Sequence, residues 1–373
     1  VHQHTARGTV AIIGTRGYPS YYGGFETAVR FLAPYLADRG WDVSVYGRPN
    51  SVALDDPARD PRIESVFTGG LDSKSLSTLS FGFNAVRHAA RRRPDVALVM
   101  NVANGFFLPL LRARSIPTLV NVDGMEWERA KWGRLAKSIF RAGARATARY
   151  ADEIACDSTE IARRWKQDFG RDGLFIPYGG VLPEPAPLVE PGLTSRGYVL
   201  YVARFVPENS FVEFLAAAET VAASHDVVIV GSSGYGGEFD DAAAALAARA
   251  PRVRWLGHVS DDDRLASLWQ HAGAYFHGHS VGGTNPALVQ AMAAGAPIVA
   301  RDTVYSNEVL SGAGVLVAPE PEAIATALLA LLTAPEEQDR LSALARARAA
   351  EAYTWESVCA TYESALRELV RSS

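Results

Sequence analysis

Two glycine-bearing loops and one arginine stand where apolar runs end, and their groups suit the handling of phosphate and sugar oxygens. The run His277-Gly278-His279-Ser280-Val281-Gly282-Gly283-Thr284-Asn285-Pro286 follows an apolar stretch and opens a helical pattern over 287–294. Free N–H groups in series, with two adjacent glycines, form a cradle for anionic or sugar oxygens at a helix N-terminus. Thr284 and Asn285 add side-chain donors there, or serve as helix caps. Near the start of the chain, Gly14-Thr15-Arg16-Gly17 ends another apolar run and Gly23-Gly24 opens the next helix. The spacing departs from Gly-x-Gly-x-x-Gly, and Tyr46-Gly47-Arg48 stands where a dinucleotide site would place an acid, so NAD is not expected. Arg204 ends the run 198–203, and its planar fork suits a diphosphate or a pair with Glu208 or Glu213. Asp123 ends the run 117–122, where a carboxylate accepts a hydroxyl's hydrogen bond or caps the next helix.

Other candidates read more plainly. His277 and His279 have no acid or cysteine close by, so no metal is expected. Asp261-Asp262-Asp263 precedes a helix, where acids suit the dipole. Arg134, Lys137, Arg141, Arg145 and Arg149 recur at three- and four-residue intervals and share one helix face. Such a stripe is a solvated face or a surface for anionic membrane, at about 1 kcal/mol per cation. No nucleic-acid motif accompanies it, so nucleic acid is not an expected partner.

The elements that must carry these residues follow from hydrophobic period. Apolar runs rich in β-branched residues lie at 9–14, 42–46, 96–100, 117–122, 153–156 and 174–176, then at 198–203, 226–231, 253–257, 274–277, 297–300 and 314–318. They are nearly continuous, as strands buried on both faces are. Amphipathic stretches such as 25–38, 211–223 and 321–332 alternate with them, which predicts parallel sheets covered by helices. Pro34 is expected to kink or shorten the first helix. Residues 176–195 are rich in proline and read as a joint, and 354–371 forms a separate last helix. The fold class is α/β, with two doubly wound Rossmann-like domains facing across a cleft and ligands at the carboxyl ends of the strands.

Composition agrees. The chain has 373 residues, of which 48% are hydrophobic and 21% charged, a globular balance with length for two cores. Two cysteines, Cys156 and Cys359, exclude a disulfide framework and a cysteine-based zinc site. No apolar run reaches the roughly 20 residues of a membrane span, and the first residues lack a signal-peptide core, so a cytoplasmic location is expected. Residues 1–180 carry a net charge of +7 and residues 181–373 a net charge of −11, which points to different partners for the two halves.

Across almost its full length the sequence resembles the retaining family-4 glycosyltransferases of the GT-B fold. Within them it is most similar to bacterial β-1,4-rhamnosyltransferases of capsule and exopolysaccharide assembly. The resemblance rests on Gly14-Thr15-Arg16-Gly17 with Tyr22-Gly23-Gly24-Phe25-Glu26-Thr27, Asp123-Gly124-Met125-Glu126-Trp127 with Arg129-Ala130-Lys131-Trp132, and Ile176-Pro177-Tyr178-Gly179. Further on it rests on Ala203-Arg204-Phe205-Val206-Pro207-Glu208-Asn209, the Val281–Pro286 loop and Tyr353-Thr354-Trp355-Glu356.

The resemblance implies an acceptor-binding domain over 1–182, a nucleotide-sugar-binding domain over 183–353, and a last helix, 354–373, crossing back to the first. It implies catalytic roles for Arg204, Asp123 and Asn209, and donor contacts from Gly23, Gly24, Arg204, Glu208, Ser280, Gly282, Gly283, Thr284, Asn285 and Gln290. Acceptor contacts would come from Arg16, Tyr22, Asp123, Glu126 and Trp127. No metal or other cofactor is expected. The implied reaction moves L-rhamnose from dTDP-β-L-rhamnose to a polyprenyl-diphosphate-linked hexose, with retention, on the inner face of the plasma membrane. A UDP- or GDP-hexose donor, or a catalytically silent nucleotide-sugar-binding scaffold, are the alternatives. Four positions depart from the family pattern: Ser280 and Gln290 stand where glutamates are expected, Asn209 where lysine is usual, and Asp123 where histidine is common.

Overall fold

The computed structural model describes residues 8–21, 23–49, 51–52, 55–71, 77–129, 132–234 and 236–372. Tyr22, expected to touch the acceptor, lies outside the described residues. The chain forms two compact units, Val1–Tyr178 with Trp355–Ser373, and Gly179–Thr354.

The first unit is built on seven parallel strands: β1 (Gly8–Ile13), β2 (Trp41–Gly47), β3 (Glu64–Phe67), β4 (Val96–Met100), β5 (Thr118–Asn121), β6 (Glu153–Cys156) and β7 (Leu174–Phe175). Its helices are α1 (Gly24–Asp38), α2 (Ser77–Arg92), α3 (Leu108–Arg112), α4 (Arg134–Tyr150) and α5 (Thr159–Phe169). The sheet order is β3-β2-β1-β4-β5-β6-β7, so direction along the sheet reverses between β1 and β4. In such sheets the crevice at that reversal is the usual ligand position. All five residues of β4 are buried, as its unbroken apolar run requires.

The second unit holds β8 (Tyr198–Val202), β9 (Asp226–Val230), β10 (Val253–Trp255), β11 (Ala274–His277), β12 (Ile298–Arg301) and β13 (Val315–Val317), in the order β10-β9-β8-β11-β12-β13. Its helices are α6 (Phe211–Val221), α7 (Glu238–Arg249), α8 (Asp262–His271), α9 (Pro286–Ala294), α10 (Val304–Leu310), α11 (Pro321–Leu332) and α12 (Pro335–Ala352). The reversal here falls between β8 and β11. Tyr201, Phe205, Phe211, Phe214 and Phe276 form an aromatic core beneath the strand ends, with Phe205 stacked on Phe211 at 4.0 Å.

The last helix, α13 (Trp355–Ser372), packs on the first unit. Trp355 stacks on Phe31 at 4.5 Å, and Val358, Cys359, Tyr362 and Leu366 join the core of α1 and the sheet. Full burial of each such large apolar side chain contributes about 1.5–3 kcal/mol. Glu363 is the buried polar anchor: Trp41 Nε1 donates to it at 3.3 Å, and Arg39 and Arg367 pair with it.

Two expectations need correction. Helix α1 runs through Pro34 to Asp38 and is not shortened, because Ala28, Val29, Leu32, Ala33 and Leu36 bury a continuous face. Strand β3 has no counterpart among the apolar runs; it is a partly exposed edge strand.

Candidate functional site

The carboxyl edge of the second sheet carries two loops that lock together. Arg204 follows β8 with its side chain exposed, and its carbonyl accepts from Asn209 Nδ2 at 2.8 Å. That bond fixes the amide of Asn209, so Oδ1 faces His279 Nδ1 at 2.6 Å and His279 is the donor. The Glu208 carbonyl accepts from both the N–H of Ser280, at 2.8 Å, and its hydroxyl, at 2.9 Å. Ser210, in the left-handed region at φ 50°, donates its hydroxyl to the Gly278 carbonyl at 2.8 Å. A Cβ at Gly278 would stand 2.2 Å from the Asn209 carbonyl oxygen, so only glycine allows this approach.

Beyond this lock the chain turns through Gly282, at φ 90°, to the buried Gly283 and Thr284. Asn285 is a cap: its Oδ1 accepts from Ala287 N–H at 2.9 Å at the start of α9. The backbone of 282–284 thus enters a capped helix N-terminus, an arrangement that favours anions. His277 is buried beside Tyr275, and burial pushes its pKa down to about 3, so it is neutral near pH 7.

Two donor-site expectations shift. Ser280 holds the Glu208 carbonyl and so serves the lock. Gln290 uses both ends of its amide on Val181, accepting from its N–H at 2.9 Å and donating to its carbonyl at 2.8 Å. Its position is set by the chain entering the unit, which leaves one N–H and one lone pair of the amide for another partner.

A third loop was not singled out by sequence. Gly231, Gly234, Gly236 and Gly237 all have positive φ between β9 and α7, and Asp240 in the first turn of α7 accepts from the N–H and hydroxyl of Ser233. The cluster of glycines was its signal. Asp261 caps α8 through the Arg264 N–H at 3.0 Å, as its acidic run foretold.

In the first unit, Glu26 in the first turn of α1 accepts from the Arg16 N–H at 3.1 Å, tying the loop after β1 to the helix that Gly23 opens. A Cβ at Gly24 would stand 3.0 Å from the Tyr178 hydroxyl. Asp123 lies just beyond β5 at φ 55°, and its N–H donates to Asn121 Oδ1, while Asn121 Nδ2 binds the Tyr362 hydroxyl at 2.6 Å. The last helix therefore fixes the turn that presents the Asp123 carboxylate. Arg129 approaches Asp123 at 3.8 Å and pairs with Glu126, whose other oxygen accepts from Trp132 Nε1 at 2.9 Å. Glu126 and Trp127 are buried, with Trp127 edge-on to Phe169 at 5.8 Å. They support this loop from within, and Arg16 and Asp123 are the candidates that stay partly exposed. Asn104, missed in sequence, lines a cavity of about 20 Å³ with Thr15 and Tyr46, room for one water-sized group.

The five-cation stripe lies on α4 as expected. Arg134, Arg141, Arg145 and Arg149 are exposed and Lys137 is half-buried, while Gly143, Ala144 and Thr147 face inward. Leu135 is 77% exposed beside them. Among the described residues no three histidine, cysteine or acidic side chains cluster as a metal site, and no helix is long and apolar enough to cross a membrane.

Comparison with known proteins fits this geometry. Residues 23–179 match the glycosyl transferase 4-like domain and residues 196–334 match the glycosyl transferases group 1 family. O-antigen chain mannosyltransferase B of Escherichia coli is 29% identical over 178 residues, 45% of this chain and 45% of the relative. Phosphatidyl-myo-inositol mannosyltransferase of Mycobacterium leprae (strain TN) is 30% identical over 228 residues, 58% of this chain and 59% of the relative. The matches thus span about half the length of these curated relatives. Among solved structures, sucrose-phosphate synthase from Thermosynechococcus elongatus superposes with a TM-score of 0.80 at 20% identity, covering 98% of this chain and 100% of that one. Anabaena Alr3699/HepE in complex with UDP superposes with a TM-score of 0.76 at 16% identity, covering 96% and 99%. Its two sheets share the GT-B fold of these structures, and its two halves match the glycosyl transferase 4-like domain and the glycosyl transferases group 1 family in that order.

Proposed function

We propose that the chain transfers L-rhamnose, with retention and without a metal, from dTDP-β-L-rhamnose to a polyprenyl-diphosphate-linked hexose in cell-surface polysaccharide synthesis. The single observation that carries a nucleotide-sugar donor is the lock between the Arg204–Ser210 and Gly278–Thr284 loops, which ties the loop that carries the exposed Arg204 to the loop that runs through a glycine turn into a capped helix start. In this reading Arg204 and the N–H groups of 282–284 hold the diphosphate. As the sugar–oxygen bond to phosphate breaks, the acceptor oxygen bonds to the same carbon from the same face, and its proton passes to the departing phosphate oxygen. Charge growing on that oxygen is stabilised by the arginine and the helix start, an effect of about several kcal/mol. Asp123, with Arg16, would orient the acceptor hydroxyl.

The relatives favour a second donor. Both curated relatives are named mannosyltransferases, which supports a mannose donor as the second reading. UDP-glucose appears with Anabaena Alr3699/HepE and keeps UDP-hexoses in the test. The exposed cations of α4 with Leu135 support work at an anionic membrane surface, on the cytoplasmic face. The test is thermal stabilisation by dTDP, UDP, GDP and ADP, then by matching sugar-nucleotides, followed by transfer to a lipid-linked acceptor. A ligand at 100 times its Kd adds about 2.7 kcal/mol and raises Tm by a few degrees. Stabilisation by dTDP and transfer of rhamnose support the reading, and preference for GDP or UDP replaces the donor. Donor binding without transfer to any acceptor would favour a scaffold.

A further inference from the structure

Five of the ten described arginines of the second unit are held in one of two ways. Arg249, Arg264 and Arg340 pair with Glu219, Glu190 and Glu337. Arg196 and Arg254 donate to main-chain carbonyls, at 3.0 Å to Ala272 and 2.5 Å to Pro191. Arg301 does neither. It ends β12, is half-buried, and its Nη1 donates to the Ser210 hydroxyl at 3.0 Å. Among the described residues no carboxylate lies within ion-pairing distance of it. A guanidinium carries five N–H donors, and a partly desolvated one without a countercharge is unfavourable unless an anion joins it.

Its place says which anion. In the parallel pairing of β11 and β12, His277 stands opposite Ala300, so Arg301 lies one residue past the level where β11 ends. From there the side chain reaches Ser210, at the end of the β8 loop, and Ser210 in turn holds the carbonyl of Gly278. Arg301 therefore stands at the junction of the two loops that frame the proposed diphosphate. Those loops are short of charge for that ligand. Asn209 is neutral, and His277 is kept neutral by burial.

We propose that Arg301 is a second diphosphate-binding cation, supplying across the end of β11 the charge that Asn209 lacks. The proposal rests on the donor reading above and adds to it a residue outside both glycine and arginine loops. The ligand chemistry is a nucleoside diphosphate, bound by its phosphates rather than its base.

The test is binding of the nucleoside diphosphate that best stabilises the wild-type protein, by titration calorimetry, beside binding of its parent nucleoside, by ligand-observed NMR. Arg301→Gln is expected to weaken the diphosphate about tenfold, the scale of a charge-assisted contact, and to leave the nucleoside within about twofold. Arg301→Lys, which keeps the charge and loses the fork, is expected to fall between. Unchanged diphosphate affinity in Arg301→Gln overturns the proposal. So does an equal loss of nucleoside and diphosphate, which marks a purely structural role. If Arg301→Gln does not fold, as its melting without ligand shows, unchanged diphosphate binding in Arg301→Lys overturns it instead. Wild-type protein that binds nucleosides but no diphosphate overturns the donor reading, and this proposal with it.

Discussion

In the second unit the residues at the strand ends are held by main-chain partners: Asn209 by the Arg204 carbonyl, Ser280 by the Glu208 carbonyl, Ser210 by the Gly278 carbonyl. In the first unit the corresponding loops are held by charged side chains: Glu26 on the Arg16 N–H, Arg129 between Glu126 and Asp123, and Trp132 on Glu126. A backbone lock leaves N–H groups and an exposed arginine for a ligand that is always an anion, which suits the fixed diphosphate of a donor. A lock of buried carboxylates and an arginine leaves Arg16 and Asp123 partly exposed, one side chain of each sign, which suits hydroxyls. The comparison also separates rigidity by cause: the second site depends on glycines that admit close approach, and the first on ion pairs and on the last helix behind Asn121.

The comparison is broken most directly at Arg204. Arg204→Ala is expected to lower kcat about 10²–10³-fold, as loss of one preorganised charge donor does, with the fold intact by circular dichroism. A smaller loss would remove the arginine from the leaving-group role. Gly278→Ala tests the backbone lock itself. Its Cβ meets a main-chain oxygen at 2.2 Å, so the loops must part, and a stability loss of about 1–3 kcal/mol with weaker nucleoside diphosphate binding is expected from denaturant titration and calorimetry.

His277 makes the second site acid-sensitive. Burial pushes its pKa from the ordinary 6.5 down to about 3 in the folded chain, so between these the unfolded chain binds the extra proton and stability falls as pH falls. From pH 7 to pH 5 the loss is about 2 kcal/mol, and His277→Gln should flatten that part of the profile in denaturant titrations. An unchanged slope in the variant would remove His277 as its source. The smallest effect belongs to α4 in the first unit. Arg145→Ala should weaken sedimentation with anionic liposomes by about 1 kcal/mol, roughly fivefold, at low salt and leave donor binding alone. Equal sedimentation of variant and wild type would leave the stripe a solvated face.

Much of this was legible from residue types. Strands β4, β6 and β11 fall at the residues expected, because runs such as Val96–Met100 are apolar without interruption. The Gly278–Asn285 loop and the Arg204 position were read from glycines and from the end of an apolar run. What escaped is set by contacts distant in sequence. Gln290 is committed by Val181, 109 residues away, and nothing local to Gln290 announces it. Trp127 reads as an aromatic in a loop, yet Phe169 on α5 draws it inward. Edge strand β3, Glu-Ser-Val-Phe, is too short and too polar for a hydrophobic period to reveal.

The measurement that reaches the central claim most directly is hydrogen exchange by mass spectrometry with and without the best-stabilising nucleoside diphosphate. The lock predicts protection at 203–210 and 278–286, where the N–H groups that would hold the phosphates reside, with α1 to α5 little changed. Protection confined to the first unit, with the loops of the second unit exchanging as before, would contradict the account.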